Sequence, residues 1–573
     1  MSLQISGFDL AIVLVYLVGV VGLGCLAGAY RKKSAGEGSN YFLAGNTLGW
    51  PIIGLAIFAA NISTVHLVSL AESAYTYGLG YTGNYEWLAG FTLIALSLFF
   101  APLYLRSRCP TLPDFLERRY NRHCRDWLAV ISIVSAIVVH MGVALFTAAA
   151  VLRGILGIES TATILGISST MFFIIVLGVL TGIYTMVGGL LAVVWTESFQ
   201  TVLLLAGAIC ITVVGFLQVG GWESLCQTLA QHPHPLHGTV IKGMVVNWDT
   251  HRFLNMVNGS EDPGQLPFYA MVLGYPVIGI WYWCCDQTIV QRVLAARNET
   301  QARLGPLFCA VLKILPVFFF VLPGVICVAL VQQGYFSAGP SDPRSTYTFM
   351  VTQMLPWGLK GLVIAAMLAA AMQTCSAALN STATLVAYDI YQRWRPQTSD
   401  HQLVVVGKIT TVAATVLAIA ASPIFDNYPT IYEGLIALIC YMAPPISVVF
   451  VFGVFWRGAS GKAAYLTMVT GAILGLAAFV LQNHGDFKRF EGWSGINMQQ
   501  MMVSFYMFVA CCVLLIAGSL VMPEPVKEEA KLLIWENWRE PLRSQSGGRT
   551  LGSYRVVAAV VLATFVILYI VFR

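Results

Sequence analysis

Apolar residues run in stretches of about twenty along almost the whole chain, separated by short polar breaks. About 20 apolar residues are what a helix needs to cross a bilayer. Fourteen such stretches are marked by this pattern: 7–29, 50–70, 81–105, 127–152, 161–186, 189–218, 267–290, 305–332, 346–390, 403–424, 430–455, 463–482, 500–521 and 553–572. The ninth is too long for one crossing, so a bent helix, or a short helix followed by a span, is expected there. The first lacks a basic flank and a small-residue cleavage site, which predicts a retained span rather than a leader. The longest hydrophilic stretch is an outer loop at 219–266. Residues 522–552 form a polar linker with an amphipathic middle. Neither segment is long enough to fold as a separate domain.

Composition sharpens this picture. The chain has 573 residues, 57% of them hydrophobic and only 10% charged, with a mean hydropathy of +0.74. Soluble domains carry about 25% charged residues. An all-α polytopic membrane protein is therefore expected. The net charge of +5 does not point to nucleic acid, because the Lys and Arg sit in short loops between spans. With the N-terminus outside, the inner loops and their edges hold 22 of the 32 Lys and Arg, eight lie outside, and Lys313 and Lys408 lie within spans. Inner loops gather positive charge, so both termini are placed outside a plasma (cytoplasmic) membrane. The thirteen cysteines fall mostly within spans or on basic loops, and no disulfide framework is implied.

Several spans carry polar knots. In "GLAIFAANISTVHLVSL" (54–70), Asn61, Ser63, Thr64 and His66 stand within six residues at the centre of an apolar segment. The seventh span reads "GIWYWCCDQTIVQR" and follows Gly274 and Pro276, and the ninth reads "AAAMQTCSAALNSTAT". Ionisable groups inside spans are costly and mark sites or pathways. His66, Glu86 and Lys313 qualify, whereas Glu197 and Asp286 lie near inner ends, where solvation or helix capping also accounts for them. A lone histidine also serves as a helix–helix hydrogen-bond partner, and Ser or Thr often bond back to their own helix. A broken helix frees backbone groups, which a bilayer tolerates only where they line a cavity or bind a ligand. Secondary transporters use that device in the first helices of inverted repeats. The second and seventh spans are five apart, so 50–218 and 267–424 are read as two inverted five-helix repeats. Residues 1–49 supply an extra helix and an inner loop, 219–266 the outer loop, and 425–573 the flanking helices.

At these residues the chain resembles the solute–sodium symporter family, and within it the sodium–glucose cotransporters. The resemblance covers nearly the whole chain. It is carried by "NYFLAG" (40–45), "AANIS" (59–63), "YEW" (85–87), "YTMVGGLLAVVWTESFQ" (184–200), "WYWCCDQTIVQRVLAA" (281–296), "LKILP" (312–316), "LNSTATLVAYDIY" (379–391) and "YMAPP" (441–445). It implies a LeuT-type fold: two inverted five-helix repeats plus flanking helices, about 14 transmembrane helices in all. It further implies that Asn61, His66, Glu86 and Lys313 hydrogen-bond a sugar, and that Tyr282 covers it on the inner side with Trp283 beside. For the coupling ion, Na⁺, it implies backbone carbonyls at Ala59, Ile62 and Ala370, and side chains at positions 373 and 374.

The chain departs from the family there. Gln373 stands where the family has a serine, and Thr374 keeps a hydroxyl. The Gln373 amide either offers its carbonyl oxygen to the ion or turns its NH₂ into the ion's place. Ile436 replaces a sugar-binding glutamine, with Glu433 as a substitute candidate, and Glu197 replaces an aspartate.

The expected function is Na⁺-coupled uptake of a hexose-like sugar by alternating access, with Na⁺, the sugar and the lipid bilayer as partners and no enzymatic step. Two alternatives stay open. One is a symporter for another small solute, such as an inositol, a sialic acid or a carboxylate. The other is a sugar facilitator or sensor uncoupled from any ion.

Overall fold

The computed structural model describes residues 6–29, 37–159, 162–231, 233–241, 244–245, 250–259, 266–340, 342–427, 431–542 and 553–573. Apart from two short two-stranded hairpins, its regular structure is helical. The membrane helices and the elements beside them are α1 (Gly7–Ala29), α2 (Trp50–Asn61), α3 (Thr64–Tyr77), α4 (Leu79–Ser107), α5 (Leu112–Arg119), α6 (Arg122–Ile155), α7 (Ser169–Val219), α8 (Phe268–Cys285), α9 (Gln287–Leu294) and α10 (Glu299–Gln332). They continue with α11 (Leu359–Trp394), α12 (Asp400–Phe425), α13 (Ile431–Phe455), α14 (Gly461–Asn483), α15 (Gln500–Val521) and α16 (Tyr554–Val571).

Twelve of the described helices are long and apolar enough to cross a membrane, and the bent pair α2–α3 makes a thirteenth crossing. The fourteenth is hidden in α7. At 51 residues it would be about 76 Å long if straight, more than twice a bilayer core. It is interrupted at Gly189, whose φ of 61° and ψ of −166° are not helical. The contacts on either side show a reversal. Tyr184 donates to the Met372 carbonyl, while Gln373 donates to the Glu197 carbonyl, so residues before and after Gly189 meet the same turn of α11. Only glycine adopts that backbone without strain, and here it joins the fifth and sixth crossings without a loop.

Between 267 and 424 the chain makes four crossings, α8–α9, α10, α11 and α12, and α13 completes a fifth at Phe455. The long ninth stretch resolves into a short helix, Thr346–Met354, followed by α11.

Helix α11 is the central element, with 94% of its apolar window buried. Its run "IAAMLAAAMQTCSAA" explains this, since small side chains let neighbouring backbones approach. Close approach recurs where α10 crosses α3. An alanine at Gly324 would place its Cβ 2.2 Å from the Ala71 carbonyl oxygen and 2.8 Å from the Tyr75 amide nitrogen. Neither backbone atom can rotate away. Gly324→Ala is therefore expected to destabilise the protein by about 1–3 kcal/mol, read as a lower thermal unfolding midpoint in detergent. An unchanged midpoint would show that α3 shifts freely against α10.

One set of helix ends is held by ion pairs. Arg125 bonds Asp389 at 2.6 Å, Asp114 at 2.9 Å and Glu117 at 2.7 Å, and Arg393 bonds Glu117 at 2.9 Å. Burial would raise the Glu117 carboxyl, yet the two guanidiniums leave it below the usual glutamate range. Arg119 donates to the carbonyls of Gly453 and Trp456, at the C-terminal end of α13. The short helix α5 is thereby fixed to α6, α11 and α13.

Candidate solute and cation site

The α2–α3 crossing bends by 63° between Asn61 and Thr64. Ile62 and Ser63 are extended there, at φ −78°, ψ 111° and φ −112°, ψ 174°. The local sequence accounts for the break. In a continuous helix the Ser63 amide would bond the Ala59 carbonyl, but it donates to His66 Nδ1 at 3.2 Å. The His66 amide would bond the Ile62 carbonyl, but it donates to the Ser63 carbonyl at 3.0 Å. Ser63 and His66 form a capping box that starts α3. The capping box thus turns the helical partners of Ala59 and Ile62 elsewhere, and these are the two carbonyls expected to face a cation.

The same capping fixes the histidine. His66 Nδ1 accepts the Ser63 amide hydrogen bond, so it carries no proton, the imidazole is neutral and its N–H is on Nε2. His66 lines a cavity of about 130 Å³ together with Asn61, Glu86, Tyr282, Trp283 and Lys313. The structure brings all six expected solute residues to one cavity, drawn from α2, α3, α4, α8 and α10. Helix α8 ends in a π-turn over Ile280–Cys285, and Asp286 is extended at φ −85°, ψ 126° before α9 begins. That is the second break, and Tyr282 and Trp283 sit immediately before it.

Lys313 is the hub. It sits at an interruption in α10, three residues before Pro316, which has no amide to donate. Its ammonium bonds Glu86 Oε2 at 2.5 Å and also Asn61 Oδ1, and lies 5.3 Å from the Trp283 ring centroid. Side-chain exposures of 1% for Lys313 and 4% for Glu86 leave no bulk water to screen the pair. One ammonium therefore ties the break on α2 to α4 and α10. The Trp283 indole N–H donates to the Tyr275 hydroxyl at 3.3 Å, which fixes the ring.

Of the five expected cation ligands, Thr374 is only partly free. It lines the solute cavity, and its hydroxyl donates to the Ala370 carbonyl at 3.3 Å. Gln373 is fully buried, its amide nitrogen donates to the Glu197 carbonyl at 3.3 Å, and Gln373 Oε1 has no partner among the described groups. The NH₂ is thus spent on α7 rather than on Ala59 or Ile62. Ile436 is an apolar wall of the cavity, and the Glu433 side chain lies outside the described residues.

The two carboxylates expected near inner ends divide. Asp286 caps α9 by accepting the Thr288 amide at 2.6 Å, as capping requires. Glu197 is not solvated: it is fully buried and pairs with Arg292 at 2.7 Å. His140 also lines the cavity and is missing from the expected set. It is the one ionisable group in "SIVSAIVVHMGVALF", and the rule that picks out His66 finds it equally well.

The sequence profile of the sodium:solute symporter family matches residues 41–471. Among curated proteins, the chain is 31% identical over 495 residues to sodium/glucose cotransporter 4 of Mus musculus, covering 84% of this chain and 70% of that one. It is 30% identical over 560 residues to the sodium/mannose cotransporter of Bos taurus, covering 93% and 89%. It is 30% identical over 493 residues to sodium/myo-inositol cotransporter 2 of Sus scrofa, covering 82% and 70%. Among solved structures, a substrate-bound, outward-open Na⁺-coupled sialic acid symporter superposes with a TM-score of 0.72 at 22% identity, over 91% of this chain and 99% of that chain. At that identity the likeness concerns the fold.

Proposed function

The chain belongs to the sodium:solute symporter family, and from that premise we propose that it carries a neutral polyhydroxy solute, a hexose or close relative, inward with Na⁺ by alternating access. The observation that supports this most directly is the single cavity holding Asn61, His66, Glu86, Tyr282, Trp283 and Lys313 beside the freed Ala59 and Ile62 carbonyls. A polyol offers several hydroxyls and apolar C–H faces. Glu86 and Asn61 supply acceptors, His66 Nε2–H and Lys313 supply donors, and Tyr282 and Trp283 supply flat surfaces. A site built to pair hydroxyls rejects analogues that lack them.

The coupling ion is Na⁺, as in the family. Bound at Ala59 and Ile62, it would hold the break in one geometry and so orient Asn61 and His66 on either side. Solute binding would then draw Lys313 away from part of its internal pairing, loosening the tie between α2, α4 and α10. Opening of the inner side past Tyr282 would release both to the cytoplasm. The membrane potential contributes about 2.3 kcal/mol per charge per 100 mV. No covalent step is needed. In this reading both termini lie outside a plasma membrane, because the arginine-rich segment around α5 is inner.

The carboxylate alternative fits the cavity poorly. Glu86 already brings a carboxylate to its wall, Asp286 stands against the lining residue His140, and the Lys313 ammonium is taken by Glu86. The experiment is uptake of labelled glucose, mannose, galactose and myo-inositol into proteoliposomes under an inward Na⁺ gradient or an equal K⁺ gradient. Accumulation above equilibrium with Na⁺ alone is expected for at least one of them. Equal, non-concentrative uptake under both gradients would overturn coupling, and no uptake of any would overturn the polyol reading.

A further inference from the structure

We propose that His140 is a solute-contacting residue of this cavity, set by Asp286 as a hydrogen-bond acceptor for one solute hydroxyl. The inference rests on the polyol reading above. His140 stands in a π-turn of α6, Ser135–Gly142, and lines the cavity on the first repeat's side. π-Turns inside helices frequently mark functional positions, because the inserted residue redirects a side chain. Here the redirected side chain faces the second break. His140 Nε2 lies 3.2 Å from Asp286 Oδ2, with exposures of 8% and 9% for the two side chains. Its ring is 6.0 Å from that of Tyr282, at an angle of 32°.

The pairing decides what the imidazole offers. Asp286 is held in place because its other oxygen caps α9. A fixed carboxylate accepts, so Nε2 carries a proton, and in the neutral imidazole Nδ1 keeps a lone pair. His140 therefore presents an acceptor, whereas His66 presents a donor. The cavity's two histidines share the Nε2–H tautomer but offer it different nitrogens, and so read a hydroxyl from opposite ends, as its hydrogen and as its oxygen. A hydroxyl that donates to His140 would also rest against Tyr282, at the junction between the repeats. The competing account is that His140 only ties α6 to the α8–α9 break.

The test is a deoxy-analogue cycle on the full chain in proteoliposomes. KM is measured for the best-transported polyol and each of its monodeoxy analogues, with wild type, His140→Ala and His140→Gln. For one analogue, wild-type KM is expected to rise about tenfold, the scale of one hydrogen bond. His140→Ala should raise the parent's KM by a similar factor and leave that analogue's within about twofold, since the lost partners are the same. His140→Gln, whose amide donates to Asp286 and keeps an accepting oxygen, should preserve the wild-type pattern. Na⁺-dependent thermal stabilisation of each purified variant reports folding. If His140→Ala does not fold, the glutamine variant decides: loss of the deoxy pattern in a folded His140→Gln overturns the proposal. A uniform KM change across parent and analogues, or none, overturns it too while leaving the polyol reading intact. Failure of wild type to take up any polyol removes that reading and this inference together.

Discussion

Lys313→Met is expected to abolish concentrative uptake and to destabilise the protein by about 3–5 kcal/mol, the cost of leaving a buried charge unpaired. Lys313 and Glu86 are almost fully enclosed and meet at 2.5 Å. Removing the ammonium strands the Glu86 carboxylate without its paired cation, in a cavity where Asn61, His66, His140 and Thr374 stand among aromatic and aliphatic walls. It also releases Asn61, which stands at the helix break. Both effects fall on the same event, so transport suffers beyond the loss of one contact. Truncating one partner of a buried, hydrogen-bonded charge pair costs about 2–5 kcal/mol in binding, or about 30- to 3000-fold in kcat/KM. The double variant Glu86→Gln/Lys313→Met separates the two. Replacing both charges with neutral groups of similar size should restore the thermal midpoint toward wild type, while uptake stays lost because donor and acceptor are both gone. A double variant as unstable as the single one would show that the instability is not electrostatic. Wild-type uptake by Lys313→Met would remove the pair from the solute path.

This pair also shows how the architecture joins its two repeats. The ammonium comes from α10 of the second repeat, and its partners come from α2 and α4 of the first. His140 and Asp286 make a second polar link of the same kind, from α6 to the α8–α9 break. Breaks at symmetry-related positions are where backbone groups are free and side chains of both repeats converge. A solute that competes for these links acts on both repeats at once, which is what alternating access requires of its substrate.

Much of this is legible in the amino-acid sequence. Asn61, His66, Glu86 and Lys313 stand out because each is expensive in a bilayer, and all four meet in one cavity. The breaks are legible because a bilayer penalises a polar knot in an apolar helix unless the knot frees backbone groups for a cavity or a ligand. What the sequence hides is pairing. Glu197 reads as an exposed helix-end carboxylate, because nothing local reveals that Arg292, 95 residues later, reaches it at 2.7 Å. The turn at Gly189 is legible as the break between the stretches 161–186 and 189–218, and the backbone angle adds that a single glycine makes it. The tautomers of His66 and His140 depend on neighbours that fold to them, Ser63 in one case and Asp286 in the other.

Gln373→Leu is expected to raise the Na⁺ concentration for half-maximal uptake by at least about tenfold while leaving the protein folded. A buried carbonyl oxygen without a partner costs about 1–3 kcal/mol, and Gln373 Oε1 is such an oxygen among the described residues. A bound Na⁺ would satisfy it. The amide nitrogen is anchored on the Glu197 carbonyl at 3.3 Å, which leaves the oxygen as the end of the amide without a partner among the described residues. On this view the glutamine substitutes for a serine by reach: its longer side chain is fixed at the nitrogen end and presents the oxygen as a ligand. Leucine keeps the volume and removes both groups, so stability should hold or rise as the unpaired oxygen disappears. One ligand's worth of affinity, about 1.4 kcal/mol or more, should be lost for Na⁺. Gln373→Ser should retain Na⁺ dependence, since a hydroxyl takes over the ligand position. The opposite arrangement, with the amide NH₂ standing in the ion's place, gives the opposite result: both substitutions would tighten Na⁺ dependence, because both would clear the site. Thermal unfolding in Na⁺ against K⁺, measured with uptake on the same preparations, separates the two. A smaller Na⁺-specific stabilisation in Gln373→Leu than in wild type supports the oxygen as ligand, and a larger one refutes it.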